Sequence, residues 1–235
     1  MVLLKRDGWE DNHKRVHRIY REEGLQIKKR TRRKKQRSAY RGNREQTTVA
    51  NQRWSMDFVH DSTEQGRIRS LNIVDDYTRE CLWIEVDRSL SGHRVTRVLD
   101  NLIELRGKPQ SLVMDNGPEF AGLTLDRWVY REQVQLNFIQ PGKPTQNAYV
   151  ESFNGKFRDE CLNENIFKNL DHAREVIENW RVDYNEQRPH SSLNKLTPSQ
   201  FAANPHEGCF TIENTANHQH KIIPSLSQKT VQLTG

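Results

Sequence analysis

The chain has 235 residues, enough for one good-sized core and a small appendage. With 34% hydrophobic and 29% charged residues and no apolar run near bilayer-spanning length, the expectation is no membrane span. The start Met1-Val-Leu-Leu-Lys-Arg-Asp lacks the apolar stretch of a secretory leader. Three cysteines (Cys81, Cys161, Cys209) lie far apart, odd in number and without a C-x-x-C pair, which argues for a reducing cytosol and against a structural zinc site.

The net charge of +6 is unevenly spread. Residues 1–46 hold 16 Lys+Arg against 6 Asp+Glu, and the remainder holds 21 against 25. A basic arm on a slightly acidic body points to nucleic acid, because neutralising phosphates releases counterions. Within the arm, Asn12 is a candidate N-cap for a helix over 13–23, with Val16, Ile19 and Tyr20 facing inward and Gly24 as the stop. His13 and His17 stand at i, i+4, but no cysteine pair follows and zinc is rejected. Next, 28–37 places eight cations in ten residues, among them Arg30, Arg32, Arg33, Lys34 and Lys35. So dense a run repels itself and should order only on DNA. The stretch to residue 52 reads as a tether.

A strand is predicted over 53–60, then a Gly66 turn, a strand over 67–74 and a third over 81–86, together an antiparallel meander. Val95, Val98, Leu99, Leu102 and Ile103 mark a helix ending at Gly107. A fourth strand over 111–114, a helix over 123–131 and a fifth strand over 134–139 follow. Pro141, Gly142 and Pro144 then impose a loop, after which Asn147 is placed to cap a helix over 147–161. Val150, Phe153, Phe157 and Cys161 recur on its inward face, while Glu151, Gly155 and Arg158 share a neighbouring one. A last helix over 171–187 carries Ala173, Val176, Ile177, Trp180 and Tyr184 on one side.

Two of the predicted strands carry an aspartate where apolar residues are expected. Asp57 interrupts Trp54-Ser-Met-Asp-Phe-Val59, and Asp115 ends Ser111-Leu-Val-Met-Asp. A carboxylate in such a strand is costly unless its charge is paired. With the helical Glu151 they make a candidate triad for hard divalent cations. Asp75 and Asp76, followed by Tyr77-Thr-Arg, read as a turn instead. Glu119 is a weaker candidate on the loop after Asp115.

Trp-Ser-Met-Asp57, Asp115-Asn-Gly-Pro-Glu-Phe120 and Gln146-Asn-Ala-Tyr-Val-Glu151-Ser-Phe-Asn-Gly, with 35 residues between Asp115 and Glu151, resemble the DD(35)E integrase core. More closely they resemble the orfB-type transposases of bacterial insertion sequences in the IS-three family. The resemblance runs from about Gly8 to about Ala203. It implies a ribonuclease-H-like α/β fold, a mixed five-stranded sheet with flanking helices in the order βββαβαβαα, strand 1 lying beside strand 4. Four segments follow: residues 1–27, the end of a longer helical DNA-binding region within which the chain begins; 28–52, the basic arm; 53–204, the catalytic core; and 205–235, a tail without family likeness.

The function implied is metal-dependent cleavage of insertion-element ends and transfer of the freed 3′-hydroxyl to another phosphodiester. Two Mg²⁺ or Mn²⁺ ions serve it, Asp57 bridging both while Asp115 and Glu151 each hold one. Lys143, Asn147, Lys156 and Arg158 are placed to hold DNA near the metals, and Arg188 and His190 are weaker contacts. The implied setting is cytoplasmic and nucleoid-associated, as a homo-oligomer on element ends and target DNA, with a possible upstream helix-turn-helix partner or fusion. Two other readings stand beside it: a simple metal-dependent nuclease, and an inactive or truncated remnant that only binds DNA.

Overall fold

The run that begins at Arg53 folds into strand β1 (Arg53–Thr63), which turns at Thr63–Gly66 into β2 (Gly66–Asp75) and returns as β3 (Cys81–Asp87). Gly66 takes φ +126°, a conformation that L side chains rarely adopt, so the turn between β1 and β2 needs a glycine. The structure, a computed structural model, describes residues 2–25, 46–117, 120, 122–139 and 147–204. The basic arm at 28–37, Glu119, Lys143 and the tail lie outside the described residues.

Helix α3 (Gly92–Arg106) stops at Gly107, φ +83°, and is followed by β4 (Ser111–Met114), α4 (Leu123–Glu132) and β5 (Gln135–Phe138). The sheet runs β3-β2-β1-β4-β5, with β1 antiparallel to β2 and parallel to β4. This is the expected mixed five-stranded sheet with its first strand at the centre. Successive residues of β1 face opposite sides, so Trp54 and Met56 join Leu71, Ile73, Leu112 and Met114 beneath α3 and α4. Val59, Ile68 and Val86 face the other way, under α5 (Ala148–Phe157) and α6 (Leu170–Glu186). Asp57, odd-numbered like Val59, is therefore delivered to the α5 side.

A ten-residue helix is marginal in water on its own, so packing must hold α5. Val150, Phe153 and Phe157 are buried against the sheet, and Phe153 meets the Trp180 and Tyr184 rings at centroid distances of 5.6 and 5.0 Å. Each buried side chain of this size contributes about 1.5–3 kcal/mol. The helix does not run on to Cys161 as α-helix. From Arg158 to Leu162 it is a π turn, with the Asn163 amide donating to the Arg158 carbonyl at 2.9 Å. The wider turn lets both Cys161 and Leu162 go inward.

At the N-terminus, α1 (Val2–Arg6) and α2 (His13–Glu22) form, and the Asn12 side chain accepts from the Lys14 amide at 3.0 Å as a cap should. The expected inward face is corrected: α2 buries nothing, and Ile19 and Tyr20 are exposed. Among the described residues no second surface covers the apolar side of this helix. Among the described residues no helix is long and apolar enough to cross a membrane.

Asp75 and Asp76 are structural, as the turn reading required. Asp75 accepts the amides of Tyr77, Thr78 and Asn51, while the fully buried Asp76 accepts from Arg53 Nε and Ser55 Oγ, each at 2.6 Å. Asp76→Ala should cost about 3–5 kcal/mol in urea unfolding, because it leaves the Arg53 charge without its buried partner. A loss below about 1 kcal/mol would show that this pair is not what closes the β2–β3 turn onto β1.

Candidate active site

Two strands and one helix bring the three candidate carboxylates together. In the parallel β1–β4 register, Ser55 stands opposite Val113; continuing it by two residues sets Asp115 beside Asp57. The residue after Asp57 helps to hold this arrangement, since Phe58 stacks on Phe120 with centroids 4.7 Å apart. Phe120 is fully buried five residues beyond Asp115, so it anchors the segment carrying that aspartate against β1. Asp115 itself is exposed and accepts the Gly117 amide at 3.0 Å.

From the other side, α5 lies across β1 and places Glu151 over Asp57. Asp57, Ala148, Glu151, Ser152, Asn154, Gly155 and Arg158 line one cleft of about 460 Å³. Among the described residues, a side-chain carbon at Gly155 would meet no atom within 4 Å beyond its own stretch of helix. The glycine therefore leaves room in the cleft; it does not relieve a clash with the protein. Arg158 and Glu151 are both exposed on this face. Seven residues at 1.5 Å each separate them by about 10 Å along the axis.

Asp57 is half-buried, and both its oxygens hold a donor. The Phe58 amide donates to Oδ1 and Asn154 Nδ2 to Oδ2, each at 2.8 Å. Burial nevertheless pushes its pKa up from the ordinary 3.8 to about 6, opposed first by the Phe58 amide. The charges of Asp115 and, more weakly, Glu151 raise it further. All three carboxylates thus act on one spot, where they repel one another. Among the described residues no three His, Cys, Asp or Glu are grouped to hold a single ion. The donor set still suits a hard divalent cation: it is all oxygen, and a cation would relieve the excess negative charge.

The sign of this shift gives a testable result. Between pH 4 and 6 the folded protein keeps a proton that the unfolded chain releases, so stability falls as pH rises through that window and stays lower above it. Metal-free Asp57→Asn should therefore gain on wild type by roughly 1–3 kcal/mol between pH 4 and pH 7.5. Melting curves in chelator check it, and a difference independent of pH would contradict the electrostatic origin.

The other predicted site residues scatter. Asn147 does not cap α5 with its side chain: it is buried, and its Nδ2 donates to the Met56 carbonyl at 3.2 Å, tying the helix start to β1. Lys156 turns towards α6, its Nζ 5.6 Å above the Tyr184 ring, and burial followed by the Arg188 charge lowers its pKa. Arg188 pairs with Glu160 of the π turn. His190 is buried against Tyr184, centroids 4.9 Å apart, and burial together with the Lys156, Arg188 and Arg79 charges pushes it down to about 4. These three residues brace the back of α5, outside the cleft lining.

Sequence reasoning missed Asn154 and Asn72. Asn72 is fully buried in β2 opposite Asp57, and its Nδ2 donates to Asn154 Oδ1 at 2.7 Å. The signal was available, since Leu71-Asn-Ile-Val sets a polar residue in an apolar strand just as the Asp57 run does.

Comparison with known proteins bears on the family and the fold. Two models, each described as an integrase core domain, match residues 47–144 and 132–198. The uncharacterized 31.7 kDa protein of insertion element IS407 from Burkholderia multivorans is 52% identical over 206 residues, covering 86% of this chain and 73% of that protein. The 39.2 kDa protein of IS476 from Xanthomonas euvesicatoria is 47% identical over the same length, 86% of this chain and 58% of its own. Transposase InsF for insertion sequence IS3A of Escherichia coli is 24% identical over 154 residues, 64% of this chain and 54% of its own. The HTLV-2 integrase catalytic core domain in complex with magnesium (trimeric form) shares the fold, with a TM-score of 0.52, 19% identity and coverage of 65% and 96%. With its integrase core and half of its aligned residues shared along most of a relative, this chain belongs to the transposases of bacterial insertion sequences in the IS-three family.

Proposed function

We propose that Asp57, Asp115 and Glu151 are the carboxylates with which this transposase cuts and joins DNA at the ends of its element. The observation that carries this reading is the convergence of their three charges on the Asp57 side of one open cleft. Asp57 would be shared by two divalent ions, Asp115 completing one pair and Glu151 the other. When bound, such ions stabilise the attacking and leaving oxygens of a phosphodiester in line. The chain then needs no serine or tyrosine nucleophile, because water attacks first and the freed 3′-hydroxyl attacks second. Gly155 would leave the strand room beside the carboxylates.

Arg158 would hold the next phosphate along, and the arm at 28–37, including Arg30, Arg32, Arg33, Lys34 and Lys35, would grip duplex DNA without regard to sequence. Lys143, on the other side of Asn147, would do the same near the cleft. The active form would be a homo-oligomer on element ends and target, with a helix-turn-helix partner or fusion supplying end recognition, and nucleoid-associated through its DNA. A divalent-metal assay on the element's own ends tests the proposal. Joined products support it; hydrolysis alone indicates a nuclease, and binding without cleavage indicates an inactive remnant.

Arg158 offers a narrower test. Its side chain makes no ion pair with any described acid and is exposed, so Arg158→Ala should leave the melting temperature nearly unchanged. End-DNA affinity and strand transfer should both drop, and the slope of log affinity against log salt should lose about one. Arg158→Lys should restore part of the loss, since a point charge can meet a phosphate. Unaltered binding and joining by Arg158→Ala would remove DNA from this helix face.

A further inference from the structure

We infer that Asn154, backed by Asn72, is a positioning residue that fixes the Asp57 carboxylate while leaving a lone pair on each of its oxygens for a metal ion. The inference rests on the carboxylate reading above and adds residues that the reading does not need.

A carboxylate has about four lone-pair sites, two on each oxygen. The Phe58 amide takes one on Oδ1 and Asn154 Nδ2 takes one on Oδ2. One donor on each oxygen stops the group from rotating, and it leaves the two oxygens equally committed. An amide can serve here only with its nitrogen forward, because an ionised carboxylate accepts and cannot donate. That orientation sends Asn154 Oδ1 back into the protein, where it would be a buried acceptor without a donor. Asn72 Nδ2 supplies the donor, from the β2 position directly opposite Asp57.

The chain then ends in an unmet need: Asn72 Oδ1 is buried and has no hydrogen-bond partner among the described residues. Buried polar atoms are rarely left so, and one retained in a native interior calls for an explanation. Two apolar residues of similar size would fill the same space with nothing unpaired. What they could not do is hold a donor on Asp57. The helix itself is already fastened without this pair, by Asn147 on the Met56 carbonyl and by the buried Val150, Phe153 and Phe157. The asparagine relay is therefore spare as packing and specific as an orienting device.

Manganese binding, followed by calorimetry on the full chain, tests the relay without relying on turnover. Asn154→Leu should weaken Mn²⁺ affinity by roughly 10–100-fold, the usual effect of removing an outer partner of a ligand. Asn72→Leu should weaken it about tenfold or less. The double variant should match Asn154→Leu to within about twofold, since Asn72 acts only through Asn154; two independent packing losses would multiply. Single-turnover cleavage at saturating metal should recover most of its rate in each variant. An Asn154→Leu protein that melts normally and binds Mn²⁺ as wild type does, while Asp57→Asn has lost it, overturns the inference alone. Wild-type affinity in Asp57→Asn as well overturns the carboxylate reading beneath it. Should Asn154→Leu fail to fold, Asn154→Ala and Asn72→Leu carry the same criteria, with a smaller loss expected for alanine because water can enter and donate.

Discussion

Asp57→Asn, Asp115→Asn and Glu151→Gln should each lose Mg²⁺-dependent cleavage and strand transfer by at least about a thousandfold, the scale on which removing a group aimed at transition-state charge is felt. Each amide keeps the shape of the side chain and deletes one anionic ligand. Folding should survive, because none of the three is part of the core: Asp115 and Glu151 are exposed and Asp57 is half-buried at the cleft. The variants should differ in degree. Asp57 serves both ions in the proposed arrangement, so its loss should not be relieved by raising the metal concentration. Loss of Glu151 or Asp115 weakens one ion, and excess Mn²⁺ should recover a little activity in those two. Single-turnover assays on labelled element ends, across a metal titration, read both effects. An amide variant with near wild-type cleavage would remove that residue from the set.

The sheet was legible in the sequence, and the three carboxylates stood out there as candidates, because each rests on a local pattern. Short runs between turn residues marked the strands, and a charged residue inside an apolar run marked Asp57 without any knowledge of what pairs with it. What stayed hidden depended on three-dimensional partners. Asn147 has a side chain suited to capping, yet the Met56 carbonyl of β1 lies within reach and takes its amide instead. Lys156 and Arg158 stand two positions apart in one motif, and only the helix phase separates them: Arg158 lines the cleft while Lys156 sits over Tyr184. The π turn that begins at Arg158 leaves no mark in an apolar spacing that α-helical periodicity also fits. His190 looked like a DNA contact by its neighbours in sequence; burial against Tyr184 makes it a brace.

Deleting residues 28–37 should change DNA binding more than any single substitution, and it should do so without regard to sequence. Eight cations meeting duplex phosphates would give log affinity a slope of up to about −7 against log salt. Such a slope weakens binding about ten-thousandfold between 50 and 200 mM salt, and contacts made by only part of the run reduce it in proportion. The catalytic core cannot supply this dependence by itself, because residues 47–235 hold more acidic than basic groups and repel DNA at long range. The deletion should therefore flatten the salt dependence, lower affinity most at low salt, and leave metal binding at the carboxylates untouched. Replacing the run by a neutral Gly/Ser segment of equal length separates grip from reach: a spacer restores the tether and returns none of the slope. If the neutral replacement binds element ends with the same salt dependence as the intact chain, the run is only a linker, and the DNA grip must come from the cations of α2 and the cleft.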